Sequence, residues 1–254
     1  MAEEPSAKRH HGQTSDKSSN LVDVHDPVQK REYTRTLTGV ELHGKESLEI
    51  VCTSEPHKAD EVMSRLRMKG GGLYPSFIGV DVEYTSDDGL PQMATVLQLC
   101  IEELCLVYHI TAATKWPKRL KDFLQEEKLY TFVGFSIGGD KQKLNKSGLE
   151  INPNNFIDMQ RKWKDPNTSK YFDSLADVAG GVIHPFYSDM KKKLDKKEHK
   201  LWGTTPLPDN LITYVGIDVY ATYKSWKTID NIVTGWDISK EQEADPYYRC
   251  NFAG

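Results

Sequence analysis

At 254 residues the chain is long enough to bury one sizeable core with tails to spare. A net charge of −4 leaves no broad basic footprint for coating duplex nucleic acid, and a mean hydropathy of −0.59 with short apolar runs leaves no stretch fit to span a membrane. The four cysteines, at 52, 100, 105 and 250, have neither zinc-ligand spacing nor the density of a disulfide framework, which predicts a reducing compartment, the nucleus or the cytoplasm.

Residues 1–28 are polar and lack hydrophobic periodicity, so they read as a disordered tail without a secretory h-region. Residues 29–236 read as one folded domain and 237–254 as a second polar tail. Two strand-like runs come first, EYTRTLTGVEL and SLEIVCT. In SEPHKADEVMSRLRM, Ala59, Val62, Met63 and Leu66 recur at helical spacing behind Ser54, a plausible cap. Three strands then follow closely, FIGVDVEY, ATVLQLCI and LCLVYHI, the last two joined by a tight turn at Glu102–Glu103. A helix over 117–126 leads to the strand TFVGF, and another helix starts near Gly138. FIDMQ is a short further strand, followed by SLADVAGGVI and a long helix from Asp209 to Ile232. Bunched strands followed by alternating strands and helices predict an α/β fold with a mixed sheet covered by helices.

Four acidic residues on three elements stand out. Alternation along FIGVDVEY puts Phe77, Gly79, Asp81 and Glu83 on one face of the strand, so two carboxylates share a half-buried surface with no lysine or arginine in the run. Ionised carboxylates there repel each other and lose hydration, so the face is either open to water or supplied with positive charge. Asp218 sits mid-stripe in the late helix, four residues after Tyr214, where a phenol and a carboxylate are neighbours. By itself that pair reads first as a polar contact closing the core. Asp140, in the first turn after TFVGF, suits a helix N-terminus on dipole grounds alone.

Their combination is more specific. D-x-E on the first core strand, VGFSIGGDKQKL at a strand–helix junction and Y-x-x-x-D on a late helix resemble the DEDDy-type 3′–5′ exonucleases of the ribonuclease H-like superfamily. GVDVEY, LADVA and TPLPDNLITYVGIDVYATYKSW are most similar to the Werner-type exonuclease domains and their plant relatives, over roughly residues 30–236. The resemblance implies a ribonuclease H-like five-stranded mixed sheet, its first three strands antiparallel, with an N-terminal strand and helix extension. It further implies hydrolysis of DNA or RNA from the 3′ end with two Mg²⁺ or Mn²⁺ ions. Asp81, Glu83, Asp140 and Asp218 would be the metal ligands, and Tyr214 would orient the attacking water. The sister subclass has His where this chain has Thr213.

Residues 191–200, KKKLDKKEHK, reverse the local charge. They read either as a solvated face or as a rim that tracks phosphates through Lys191, Lys192, Lys193, Lys196 and Lys197. Trp202 would then either stack on a base or fill core. Met159 and Val215-Gly216-Ile217 depart from the pattern of the family, leaving room for a catalytically weak module that binds nucleic acid or protein.

Overall fold

The computed structural model describes residues 32–44, 46–70, 76–85, 92–125, 129–195 and 197–234. The two expected tails, Cys250 and Lys196 lie outside them.

Seven strands form one mixed sheet: β1 (Thr34–Glu41), β2 (Ser47–Thr53), β3 (Ser76–Tyr84), β4 (Ala94–Ile101), β5 (Leu104–His109), β6 (Tyr130–Gly134) and β7 (Phe156–Asp158). Their order is β1-β2-β5-β4-β3-β6-β7. As expected, β3, β4 and β5 form an antiparallel meander, with Glu102 at φ 50° in the two-residue turn. The early strands are not an appendage. β2 pairs in parallel with β5 and β1 closes that edge antiparallel to β2, so the five-stranded core becomes a continuous seven-stranded sheet. At the other edge β6 and β7 run parallel to β3 and to each other.

The helices are α1 (Pro56–Gly70), α2 (Lys118–Gln125), α3 (Gly138–Lys146), α4 (Met159–Lys162), α5 (Leu175–Val182) and α6 (Asp209–Thr234). Among the described residues no helix is long and apolar enough to cross a membrane. Every position of β4 and β5 is buried, because both faces of the sheet are covered. On the face carrying Ile78 and Val80, α1 and α2 pack: Gly70 meets Ile101 and Tyr130, and the Phe123 ring lies 5.6 Å from that of Phe132.

The opposite face carries Asp81 and belongs to α6. Two glycines set how closely that helix approaches. A Cβ on Gly79 of β3 would stand 2.5 Å from the Val219 carbonyl oxygen, and one on Gly216 of α6 would stand 2.2 Å from Ile50 Cδ1 of β2. A glycine inside a helix costs about 1 kcal/mol against alanine. At Gly216 the close seat on β2 supplies the reason: the Cys105 thiol also donates to the Gly216 carbonyl at 3.5 Å. The far side of α6 is anchored by two i,i+4 pairs. Tyr220 and Lys224 hold Glu46, while Tyr223 and Lys227 hold Glu102.

Candidate active site

β3 carries Asp81 and Glu83 into the sheet centre, half-buried, with the Val82 amide donating to Asp81 Oδ1 at 2.9 Å. The β6–α3 junction brings Asp140 in the first turn of α3, and α6 supplies Tyr214 and Asp218 one turn apart. The acids are linked electrostatically, and Tyr214 feels Asp218, Glu83 and Asp81. Burial first, then the Asp218 and Asp140 carboxylates, hold Asp81 well above the usual carboxylate range. Burial, then Asp81, Asp218 and Asp140, do the same to Glu83. Tyr214 is raised by burial, by the carboxylates of Asp218, Glu83 and Asp81, and by its hydrogen bond to Asp218.

Among the described residues, Lys143 brings a cation to the cluster. Lys143 Nζ sits 3.1 Å from Asp140 Oδ1 and 3.5 Å from the centre of the Tyr84 ring, and its charge opposes the rise at Glu83. Its signal was present in the sequence, three residues after Asp140 on the same helix face. Asp81 and Asp218 also line a recess with Phe135, Ser136, Gln160 and Leu175. Ser136 holds φ 57°, and its amide donates to Asp158 Oδ1 of β7 at 3.0 Å. A serine at positive φ beside the carboxylates is a locally strained residue of the kind found at sites. No pattern in the sequence distinguished it.

Among the described residues no three acids converge into a closed metal cage. The donor set is nevertheless all oxygen, half-buried and mutually repulsive, with Lys143 the lysine that opposes it among the described residues. That chemistry fits a hard divalent cation such as Mg²⁺, which keeps several waters and needs few protein ligands.

Trp202 does not serve as an exposed stacking platform. Its side chain is 1% exposed and its ring lies 6.4 Å from Tyr214 and 6.2 Å from His199. It takes the core-filling alternative because a buried network fixes its segment. Leu207 N–H donates to Tyr33 Oη (3.0 Å), which meets His109 Nδ1 at 2.7 Å. His109 Nε2 donates to the Trp202 carbonyl at 3.1 Å, since a carbonyl only accepts. Of the basic segment, Lys197 is exposed; the side chains of Lys191, Lys192 and Lys193 are outside the description.

This network makes acid stability sensitive to His109. Burial lowers its pKa from 6.5 to about 4, while the Trp202 carbonyl pulls the other way. The unfolded chain takes up a proton that the folded chain excludes, so stability is present above pH 6.5 and lost as pH falls from 6.5 to 4. The loss is up to about 3 kcal/mol. In His109→Gln, denaturant titrations across that window are expected to show a flatter acid limb; an unchanged slope would assign the loss to other groups.

No family model matches the chain. It is 22% identical over 231 residues to a 3′–5′ exonuclease of Drosophila sechellia, covering 87% of this chain and 62% of that protein. It is 23% identical over 235 residues to a 3′–5′ exonuclease of Drosophila mojavensis, covering 88% and 68%. The chain thus spans just over three fifths of the first of these insect relatives. Among solved structures, the Aedes aegypti Nibbler EXO domain superposes with a TM-score of 0.56 at 16% identity, over 72% of this chain and 88% of that one. Trypanosoma brucei RNase D gives 0.54 at 16%, over 70% and 64%. With its helix-flanked mixed sheet, this chain shares the ribonuclease H-like fold of these two structures.

Proposed function

We propose that this protein is a metal-dependent 3′–5′ exonuclease of the DEDDy subclass, Werner-type, that hydrolyses phosphodiester bonds at the 3′ ends of DNA or RNA. One observation carries the reading: three elements distant in the chain bring four carboxylates and a phenol together, where burial and mutual repulsion hold Asp81 and Glu83 uncharged more readily than in water. A purely structural core has no use for such a cluster, which costs stability. The 3′–5′ exonuclease naming of the insect relatives supports the same reading.

Asp81, Glu83, Asp140 and Asp218 would hold two divalent cations, which lower the pKa of a bound water and neutralise charge developing on the phosphate. Asp81, which interacts with the other acids, would be central to holding the cations. Tyr214, raised above its ordinary value, stays protonated at neutral pH. It therefore positions the attacking water by hydrogen bonding and does not act as a base. Lys143 neutralises part of the cluster through Asp140 and would be within the site to meet a substrate phosphate. Lys197, exposed, would contribute to the approach for the strand.

The test uses 5′-labelled DNA and RNA, single-stranded and recessed. With Mg²⁺ or Mn²⁺ a ladder shortening from the 3′ end is expected, and EDTA abolishes it. A folded sample that ladders no substrate but still retains nucleic acid on a gel would establish the binding module instead.

A further inference from the structure

Gln98 is the buried polar side chain nearest the centre of the acidic face whose needs the fold leaves unmet. It is 0% exposed, and neither its Nε2 nor its Oε1 has a hydrogen-bond partner among the described residues. A buried amide left unpaired bears its full desolvation penalty, and native cores keep few of them. A leucine or methionine would fill the same space at no such cost.

The register says what the amide faces. In the β3–β4 pair, Gln98 stands directly opposite Asp81, and in the β4–β5 pair opposite Val107. Val107 is paired in turn with Cys52 of β2. Residues opposite each other across a sheet share a face, so this row reads Asp81, Gln98, Val107, Cys52 beneath α6. The thiol of Cys52 is engaged by Tyr33, and Val107 has no polar atom in its side chain. Glu83, one step along, faces Val96. Gln98 is therefore the amide of the row that adjoins the carboxylates. Directly opposed Cβ atoms lie roughly 4.5–5.5 Å apart, within which a glutamine rotamer change can reach a facing carboxylate.

We propose that Gln98 is a positioning residue: its amide N–H holds the Asp81 carboxylate from behind, fixing which oxygens Asp81 presents to the cations and the attacking water. This rests on the exonuclease reading above and deepens it. The amide has no such partner in the protein alone, where Asp81 Oδ1 is turned to the Val82 N–H. Once cations charge and orient the cluster, the donor waiting on that side is Gln98. It touches neither substrate nor reacting atoms, so its effect passes through Asp81.

Gln98→Met, close in length and shape, separates this role from mere burial, and Gln98→Leu repeats the test should methionine pack poorly. Three quantities are read on the full chain: thermal midpoint without cations, Mn²⁺ affinity by calorimetry, and single-turnover cleavage of a 5′-labelled strand. The expected result is a midpoint equal to or above the parent's, since an orphan amide has gone. Mn²⁺ affinity should drop about tenfold, as for other groups that orient metal ligands, and the cleavage rate at saturating strand about 10- to 100-fold. A variant that matches the parent in Mn²⁺ affinity and cleavage overturns this inference alone, leaving the exonuclease intact. A parent that neither binds Mn²⁺ nor cleaves overturns the exonuclease reading, and this one with it.

Discussion

Asp81→Asn is expected to abolish hydrolysis, by at least about a thousandfold or roughly 4 kcal/mol of barrier, while the protein stays folded. The same change should make the protein more heat-stable in the absence of divalent cations. Both results have one cause. Asp81 feels the Asp218 and Asp140 carboxylates and raises Glu83 in turn, so removing its charge relieves repulsion at more than one member of the cluster. Asparagine keeps its shape and removes its charge, relieving a cost on the order of 1 kcal/mol. Added Mg²⁺ or Mn²⁺ binds the native parent and not the unfolded chain, so it should raise the parent's melting midpoint. It should move the variant's far less. Melting curves with and without cation, beside single-turnover cleavage, give both readouts. Activity within tenfold of the parent would remove Asp81 from the ligand set.

Much of this site was legible because the acids interrupt strong local patterns. Asp81 and Glu83 stand out on β3 and Asp218 on α6 against apolar periods of two and 3.6, and those periods survive folding. The run of α6 to Thr234 and the turn at Glu102 follow from the same local signals. What escaped the sequence depends on partners far away in the chain. Nothing in SLEIVCT says that it will pair in parallel with LCLVYHI and join the central sheet, because register across a crossover is settled by the packing of α1 and α6 on the two faces. Trp202 follows a lysine run that suggests surface. Its burial goes with two residues far away in the chain, His109 at the end of β5, which bonds its carbonyl, and Tyr33, which bonds His109 and Leu207. Gln98 looked like an ordinary residue in ATVLQLCI, and only its register with Asp81 sets it apart. Ser136 shows its strain only in a backbone angle.

Gly79→Ala should be the most disruptive single methyl addition to the site. Gly79 precedes Asp81 by two residues on the same face of β3, and α6 lies directly on it. An added Cβ would meet the Val219 carbonyl oxygen at 2.5 Å, Tyr223 Cβ at 2.9 Å and the Tyr223 amide nitrogen at 3.0 Å. Two of these are backbone atoms of a helix anchored through Glu46 and Glu102, so no flexible side-chain end can yield. The helix has to lift by about an ångström to reach ordinary contact. Overpacking of this kind costs typically 1–3 kcal/mol, and a fixed backbone places it at the upper end, about 3 kcal/mol. The lift also separates Tyr214 and Asp218 from Asp81 and Glu83, and misplacement on that scale costs on the order of a hundredfold in rate. Gly181→Ala serves as the control, because a Cβ there meets nothing within 4 Å inside α5. It should stabilise by up to about 1 kcal/mol through helix propensity and leave cleavage unchanged. Cleavage by Gly79→Ala, measured well below its melting midpoint, should fall although the protein is folded. If it keeps the parent's rate and midpoint, the close seat of α6 on β3 is not what aligns the carboxylates.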